Sequence, residues 1–159
     1  MLKESAVIVL HEQATDSLIL TERAAHLRDH PSEICFPGGR WELGDDDLSD
    51  TALRELYEEL GITKDRIQLI KKLDIEQTIN GSIIHPWFAT ISMLKPYVRN
   101  SDEVARVLML PMQMVNKLTH YNDIVVNRSG MQITTCQFTA SQYFIWGATA
   151  RIMKQLANL

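Results

Sequence analysis

The chain has 159 residues, 45% hydrophobic and 23% charged, an ordinary globular composition with enough length to enclose one sizeable core. A formal net charge of -4 gives no global electrostatic footprint for DNA or RNA. The apolar run inside the opening "MLKESAVIVLHEQ" is too short for a membrane span or a secretory leader.

In chain order, the β-branched runs "SAVIVLH", "SLILTER", "RIQLIKKLD", "SIIHPWFATIS" and "ARVLML" predict strands. "DIVVN" and "MQITTCQF" flank "RSG" as a hairpin does. Helical spacing predicts two helices, Leu48–Leu60 and residues 141–156. With no low-complexity tract, linker or repeat, the reading is one domain over residues 1–159, a mixed sheet covered by helices. Cys35 and Cys136 lie far apart without CxxC or Cys/His spacing, which suggests neither a disulfide framework nor a structural zinc site, and both are expected to be buried. A soluble, cytoplasmic protein is expected, with neither nucleic acid nor membrane as partner; a homodimer stays open.

The first helix carries unusual charge. Ser49 or Asp50 is the expected N-cap and Gly61 the left-handed residue that ends it. Leu48, Ala52, Leu56 and Leu60 form a core stripe, widened by Leu53, and Glu55, Glu58 and Glu59 fall beside it within roughly 100° of arc. Like charges one turn apart oppose each other, and carboxylates in a last turn face the negative end of the helix dipole. A solvated face with Arg54 paired to Glu58 is one explanation. The other is a hard cation, Mg²⁺ or Mn²⁺, which takes oxygen ligands and turns the repulsion into coordination. Upstream, "FPGGR" places two adjacent glycines where a main chain can adopt conformations closed to other residues and approach a ligand or a helix closely.

Together, "GGRWELGDDDLSDTALRELYEELGI" resembles the Nudix box, GX5EX7REUXEEXGU with U aliphatic, and "RELYEELGI" matches it at every specified position. The first half departs: counting from Gly39, the acidic position is Asp45 instead of glutamate, and eight residues separate it from Arg54. That longer spacing is similar to the coenzyme A pyrophosphatase-like branch of the Nudix hydrolases. "LILTERAAHLRDHPSEICFPGG" resembles the accessory motif of that branch, roughly LLTxR(S/A)xxLRxHxGxxxFPGG, but Ser32 stands where the motif has glycine. "IWGATARIM" resembles its closing helix, and the segment before the first strand is shorter than the resemblance implies.

The resemblance implies an α/β fold, the Nudix-type α/β/α sandwich with a mixed central β-sheet, and metal-dependent hydrolysis of a pyrophosphate in a small nucleotide-type substrate. It implies Glu55 and Glu59 as first metal ligands, Glu58 close behind, and the Gly39 carbonyl as a backbone ligand. Arg54 would orient a glutamate. The base falls to a box glutamate, Glu55 or Glu58, or to an acid on a later loop, for which Glu103 in "NSDEVARV" is the candidate. Arg23, Arg28, Arg40 and the main chain at Gly38 are the substrate-binding candidates, guanidinium forks suiting phosphate oxygens. His30 and His85 are read as structural, and Trp87, Phe88 and Trp146 as core, with stacking on an adenine the alternative for one of the aromatics. Coenzyme A, cleaved to 4′-phosphopantetheine and adenosine 3′,5′-bisphosphate, is the leading substrate. Ser32 keeps ADP-ribose, a dinucleotide or a nucleoside triphosphate in view. The intact glutamate set argues against a third possibility, a non-catalytic nucleotide-binding module.

Overall fold

A hairpin whose strands separate governs the architecture. In the computed structural model, which describes residues 3–159, β1 (Glu4–Glu12) and β2 (Ser17–Arg23) pair antiparallel only beside their turn, from Leu10 against Ile19 to Glu12 against Ser17. Beyond it they diverge, and β3 (Ile34–Cys35) and β4 (Gly38–Arg40) fill the gap. Cys35 and Ile34 pair with Thr21 and Glu22 of β2, while Gly38, Gly39 and Arg40 pair with Val7, Ala6 and Ser5 of β1. Between them the Pro37 carbonyl accepts from the Ile8 amide at 2.9 Å, stitching the linking residues into the same fork. Residues 1 and 2, where the one-domain expectation begins, lie outside the described residues.

After the helix α1 (Leu48–Leu60), β5 (Gln68–Lys72) and β6 (Glu76–Gln77) pair antiparallel with β7 (Ile83–Ile91), which itself runs parallel to β1. β8 (Val104–Pro111) covers the outer side of β2, and the short α2 (Met112–Val115) follows it. A second sheet holds β9 (Tyr121–Arg128), β10 (Met131–Phe138) and β11 (Ile145–Trp146), before α3 (Gly147–Ala157) ends the chain. Ser129 and Gly130, at φ 52° and 76°, make the two-residue turn between β9 and β10; both angles are positive, as a tight hairpin requires.

Alternation along the strands sorts the core into two layers. Ala6, Ile8, Leu10 and Ile19 face α1 and meet Ala52, Leu56 and Leu60, all fully buried. Val9, Leu18 and Leu20 face the other way, against Phe138, Ile145, Ile152 and Met153 of the second sheet and α3. The result is the expected α/β/α sandwich on a mixed sheet. Burying each leucine of the α1 stripe is worth about 2 kcal/mol, which offsets the charge crowded beside it. Among the described residues no helix is long and apolar enough to cross a membrane.

Two local expectations need correction. The last helix starts at Gly147, not at residue 141, because the backbones of Ile145 and Trp146 are extended and bond to Phe138 and Gln137 of β10. Ile145 is apolar for its place in a sheet, which imitated helical spacing. Of the cysteines, Cys136 is buried as expected but Cys35 only partly so, and neither is bonded to another.

Candidate active site

The site is built where α1 leans on the fork. The helix begins at Asp47, whose carboxylate accepts from the Asp50 amide at 2.9 Å; the expected caps, Ser49 and Asp50, lie inside the first turn and donate to it. Gly61, at φ 66°, ends it, its amide donating to the Tyr57 carbonyl. The last-turn carbonyls do not go unsatisfied: Val98 and Asn100 donate their amides to Leu60 and Glu59 at 2.9 and 2.8 Å. That loop delivers Glu103 to the site, with its carbonyl accepting from the Ala24 amide.

Gly38 and Gly39 are required by proximity. Neither has a positive φ, so the conformational freedom expected of them is not used. A Cβ on Gly38 would come 2.8 Å from the Val7 Cα and closer to the Ala6 carbonyl oxygen; one on Gly39 would come 2.9 Å from Oε2 of Glu55 and closer to Oε1. Bare main chain therefore lies directly against a glutamate of α1, an approach open only to glycine. From the same stretch the Gly38 amide donates to Oε2 of Glu59 at 2.9 Å.

Glu59 is only 5% exposed. Burial, reinforced by the charges of Glu55 and Glu103 and opposed by the Gly38 amide and Arg23, pushes its pKa up to about 8. Glu55, with 14% of its side chain exposed, is pushed up to about 7 by burial and the charges of Glu58 and Glu103, against the pull of Arg54. Glu58 is turned outward, 44% exposed, and both its oxygens accept from Arg54 Nη1 at 3.2 Å. The three glutamates thus share an edge without forming a closed cage, and among the described residues no three His, Cys, Asp or Glu side chains are gathered tightly enough to enclose an ion.

Arg54 is the hub of the edge. Its Nε donates to Asp45 Oδ1 at 2.9 Å and its Nη2 to Oδ2 at 3.1 Å, a bidentate clasp; Nη2 also reaches the Arg40 carbonyl and Nη1 reaches Glu55. This clasp holds the Asp45 carboxyl down at about 2. Asp45 also accepts from Thr51 and from the Glu42 amide, so the acidic residue of the shifted box position ties the connector to both ends of the site. Sequence spacing marked Asp45 as an oddity and did not reveal it as the partner of Arg54.

The other basic candidates are placed less uniformly. Arg23 spends Nε and Nη2 on the carbonyls of Asp29 and His30, closing the loop between β2 and β3, while its charge is felt at Glu59. Arg28 is exposed and, among the described residues, has no hydrogen-bond or ion-pair partner. Arg40 is exposed with Asp29 at 4.0 Å. In the same loop Ser32 has φ 61°, the left-handed conformation suited to the glycine of the resembled motif, and its amide donates to the Arg23 carbonyl. His30 pairs with Glu33 at 3.1 Å, and His85 is partly buried on β7 with Nε2 3.4 Å from Glu4.

The donor set suits a partly hydrated divalent cation. Glu59, buried, and Glu55, largely buried, have raised pKa values that Arg54 and the Gly38 amide only partly offset, which leaves a demand for positive charge, and the carboxylates beside the glycine main chain are hard oxygen ligands.

Comparison with known proteins agrees with this geometry. The family model described as NUDIX domain matches residues 1–124. The uncharacterized Nudix hydrolase NudL of Enterobacter sp. (strain 638) is 31% identical over 156 residues, covering 98% of this chain and 81% of that protein. The NudL of Pectobacterium atrosepticum is 32% identical over the same shares. Among solved structures, one from Deinococcus radiodurans superposes with a TM-score of 0.64 at 14% identity, over 96% of this chain and 82% of the other. A C. elegans Ap4A hydrolase binary complex does so with a TM-score of 0.57 at 18% identity, over 69% and 80%. The chain belongs to the Nudix family, and it is a hydrolase of that class.

Proposed function

We propose that this enzyme hydrolyses the pyrophosphate of a small nucleoside-diphosphate-linked substrate with the help of Mg²⁺ or Mn²⁺, and that the substrate is coenzyme A or a derivative, released as 4′-phosphopantetheine and adenosine 3′,5′-bisphosphate. The observation that carries this reading is the pair of carboxylates with raised pKa, the buried Glu59 and the largely buried Glu55, packed against the bare main chain of Gly38 and Gly39.

Glu55 and Glu59 would hold the cation, with Glu58 and the Gly39 carbonyl as the remaining protein ligands. A bound divalent ion neutralises phosphate oxygens and lowers the pKa of water. Arg54, fixed by Asp45, keeps Glu55 and Glu58 oriented, a supporting role and not a substrate contact. Arg28 is unpaired among the described residues and is the side chain best able to meet a substrate phosphate; Arg40 and the remaining Nη1 of Arg23 are the further candidates. The proton of the attacking water passes to a carboxylate, Glu58 and Glu103 being the two candidates. The loop of the accessory motif supports the coenzyme A branch: Ser32 keeps the left-handed turn despite replacing glycine.

A panel of coenzyme A, ADP-ribose, dinucleoside polyphosphates and nucleoside triphosphates, incubated with Mg²⁺ and resolved by mass, tests the proposal. Fastest turnover of coenzyme A is expected. Preference for another member would move the substrate while leaving the chemistry, and turnover of none would remove both.

A further inference from the structure

We infer that Phe144 and Trp146, on a loop tied to the Arg23 loop and outside the Nudix box, form a stacking platform for the planar base of the nucleotide. The inference rests on the reading that the substrate carries a nucleoside diphosphate. Residues 141–146, between β10 and α3, present three aromatics in four positions, Tyr143, Phe144 and Trp146. The Phe144 and Trp146 rings are stacked, with centroids 5.7 Å apart and planes 18° from parallel. Phe144 is nonetheless 52% exposed, so stacking on Trp146 leaves much of its ring open to solvent. An exposed phenylalanine held flat by a neighbouring ring is pre-ordered for a third ring.

Two arginine bridges fix this loop beside the residues of the proposed site. Arg128 sits over Trp146 with Cζ 4.8 Å from the ring centroid, and its Nη2 donates to Glu33 Oε1 at 3.0 Å. Glu33 immediately precedes β3, and its main-chain carbonyl accepts from the Arg23 amide. Arg106 donates from Nη1 to the Tyr143 hydroxyl at 3.1 Å and lies 3.3 Å from Glu22, the neighbour of Arg23. Trp146 is therefore tied through Arg128 to the Arg23 loop, and the neighbouring Tyr143 through Arg106 to β8, the strand that Glu103 leads into. A diphosphate gripped at the fork would extend its nucleoside toward this loop. Stacking needs only a π face, so a purine, with the larger face, is the expected occupant.

The test is calorimetric binding, which does not depend on turnover. The probes are the hydrolysis-resistant α,β-methylene analogue of ADP and base-free methylenediphosphonate, each with Mg²⁺. Phe144→Ala is expected to weaken the nucleotide about 10-fold and leave the base-free probe unchanged, with Phe144→Tyr restoring most of the loss. Equal nucleotide affinity in wild type and Phe144→Ala would overturn the platform, as would an equal loss for both probes or failure of the wild type to bind the nucleotide. Selective loss of the nucleotide together with no hydrolysis across the substrate panel would uphold the platform and refute the hydrolytic reading alone.

Discussion

Replacing Asp45 with asparagine removes one charge from the clasp while keeping the shape of the side chain. The Asp45 side chain is 7% exposed, and Arg54 meets both its oxygens at 2.9 and 3.1 Å. Its carboxyl is held at about 2, against an ordinary value of 3.8. A gap of that size corresponds to about 2 kcal/mol of folding stability at neutral pH. Because the folded value is depressed, this contribution is present above the unfolded value and is lost as pH falls through the folded one. Urea titration of the metal-free protein at pH 7 should therefore place Asp45→Asn about 2 kcal/mol below wild type, roughly a 1 M shift in midpoint. Near pH 3 the difference should shrink to about half. A deficit under about 0.5 kcal/mol at pH 7, or one that does not narrow on acidification, would show that the Asp45–Arg54 clasp does not hold the site together.

Glu59 should behave in the opposite sense. Its folded value is raised from 4.5 to about 8, so the stability it contributes is complete below 4.5 and is lost as pH rises through about 8. Metal-free Glu59→Gln should accordingly melt above metal-free wild type, by a margin that widens from pH 5 to pH 8; a margin of constant size would contradict the burial argument. Ser32→Gly relieves a left-handed serine and should raise stability by about 0.5–1 kcal/mol, the strain removed being partly offset by a looser unfolded chain. Denaturation curves check it, and a loss of stability would mean that the Ser32 conformation carries no strain.

Much of the frame was legible because its signals are local. The stripe Ala52, Leu56 and Leu60 and the stop at Gly61 gave α1 with its observed bounds, and the tight turn at Ser129–Gly130 gave the second hairpin. Strands β3 and β4 were not readable. They hold two and three residues, too short for periodicity, and exist only because β1 and β2 diverge to admit them. The carboxylate edge was legible from helical spacing. The pairing of an outward Glu58 with Arg54 was legible too; that the same arginine holds Asp45, nine positions earlier, was not. The close approach of the glycines to a helix was legible and their conformational freedom proved unused; that the contacts are with Val7 and Glu55 was not legible, because it depends on residues far apart in sequence. Trp146 was one of three aromatics marked for stacking, but its pairing with Phe144 was not legible, because Trp146 is fixed by Arg128, across a sheet whose pairing only the folded chain defines.

The most direct test of the proposed carboxylate edge is cleavage of coenzyme A by wild type and Glu59→Gln side by side at saturating Mg²⁺, with products identified by mass and folding checked by circular dichroism. Expected is Mg²⁺-dependent release of 4′-phosphopantetheine by wild type and a loss of at least about 100-fold in the folded variant. Turnover by Glu59→Gln at the wild-type rate would contradict it.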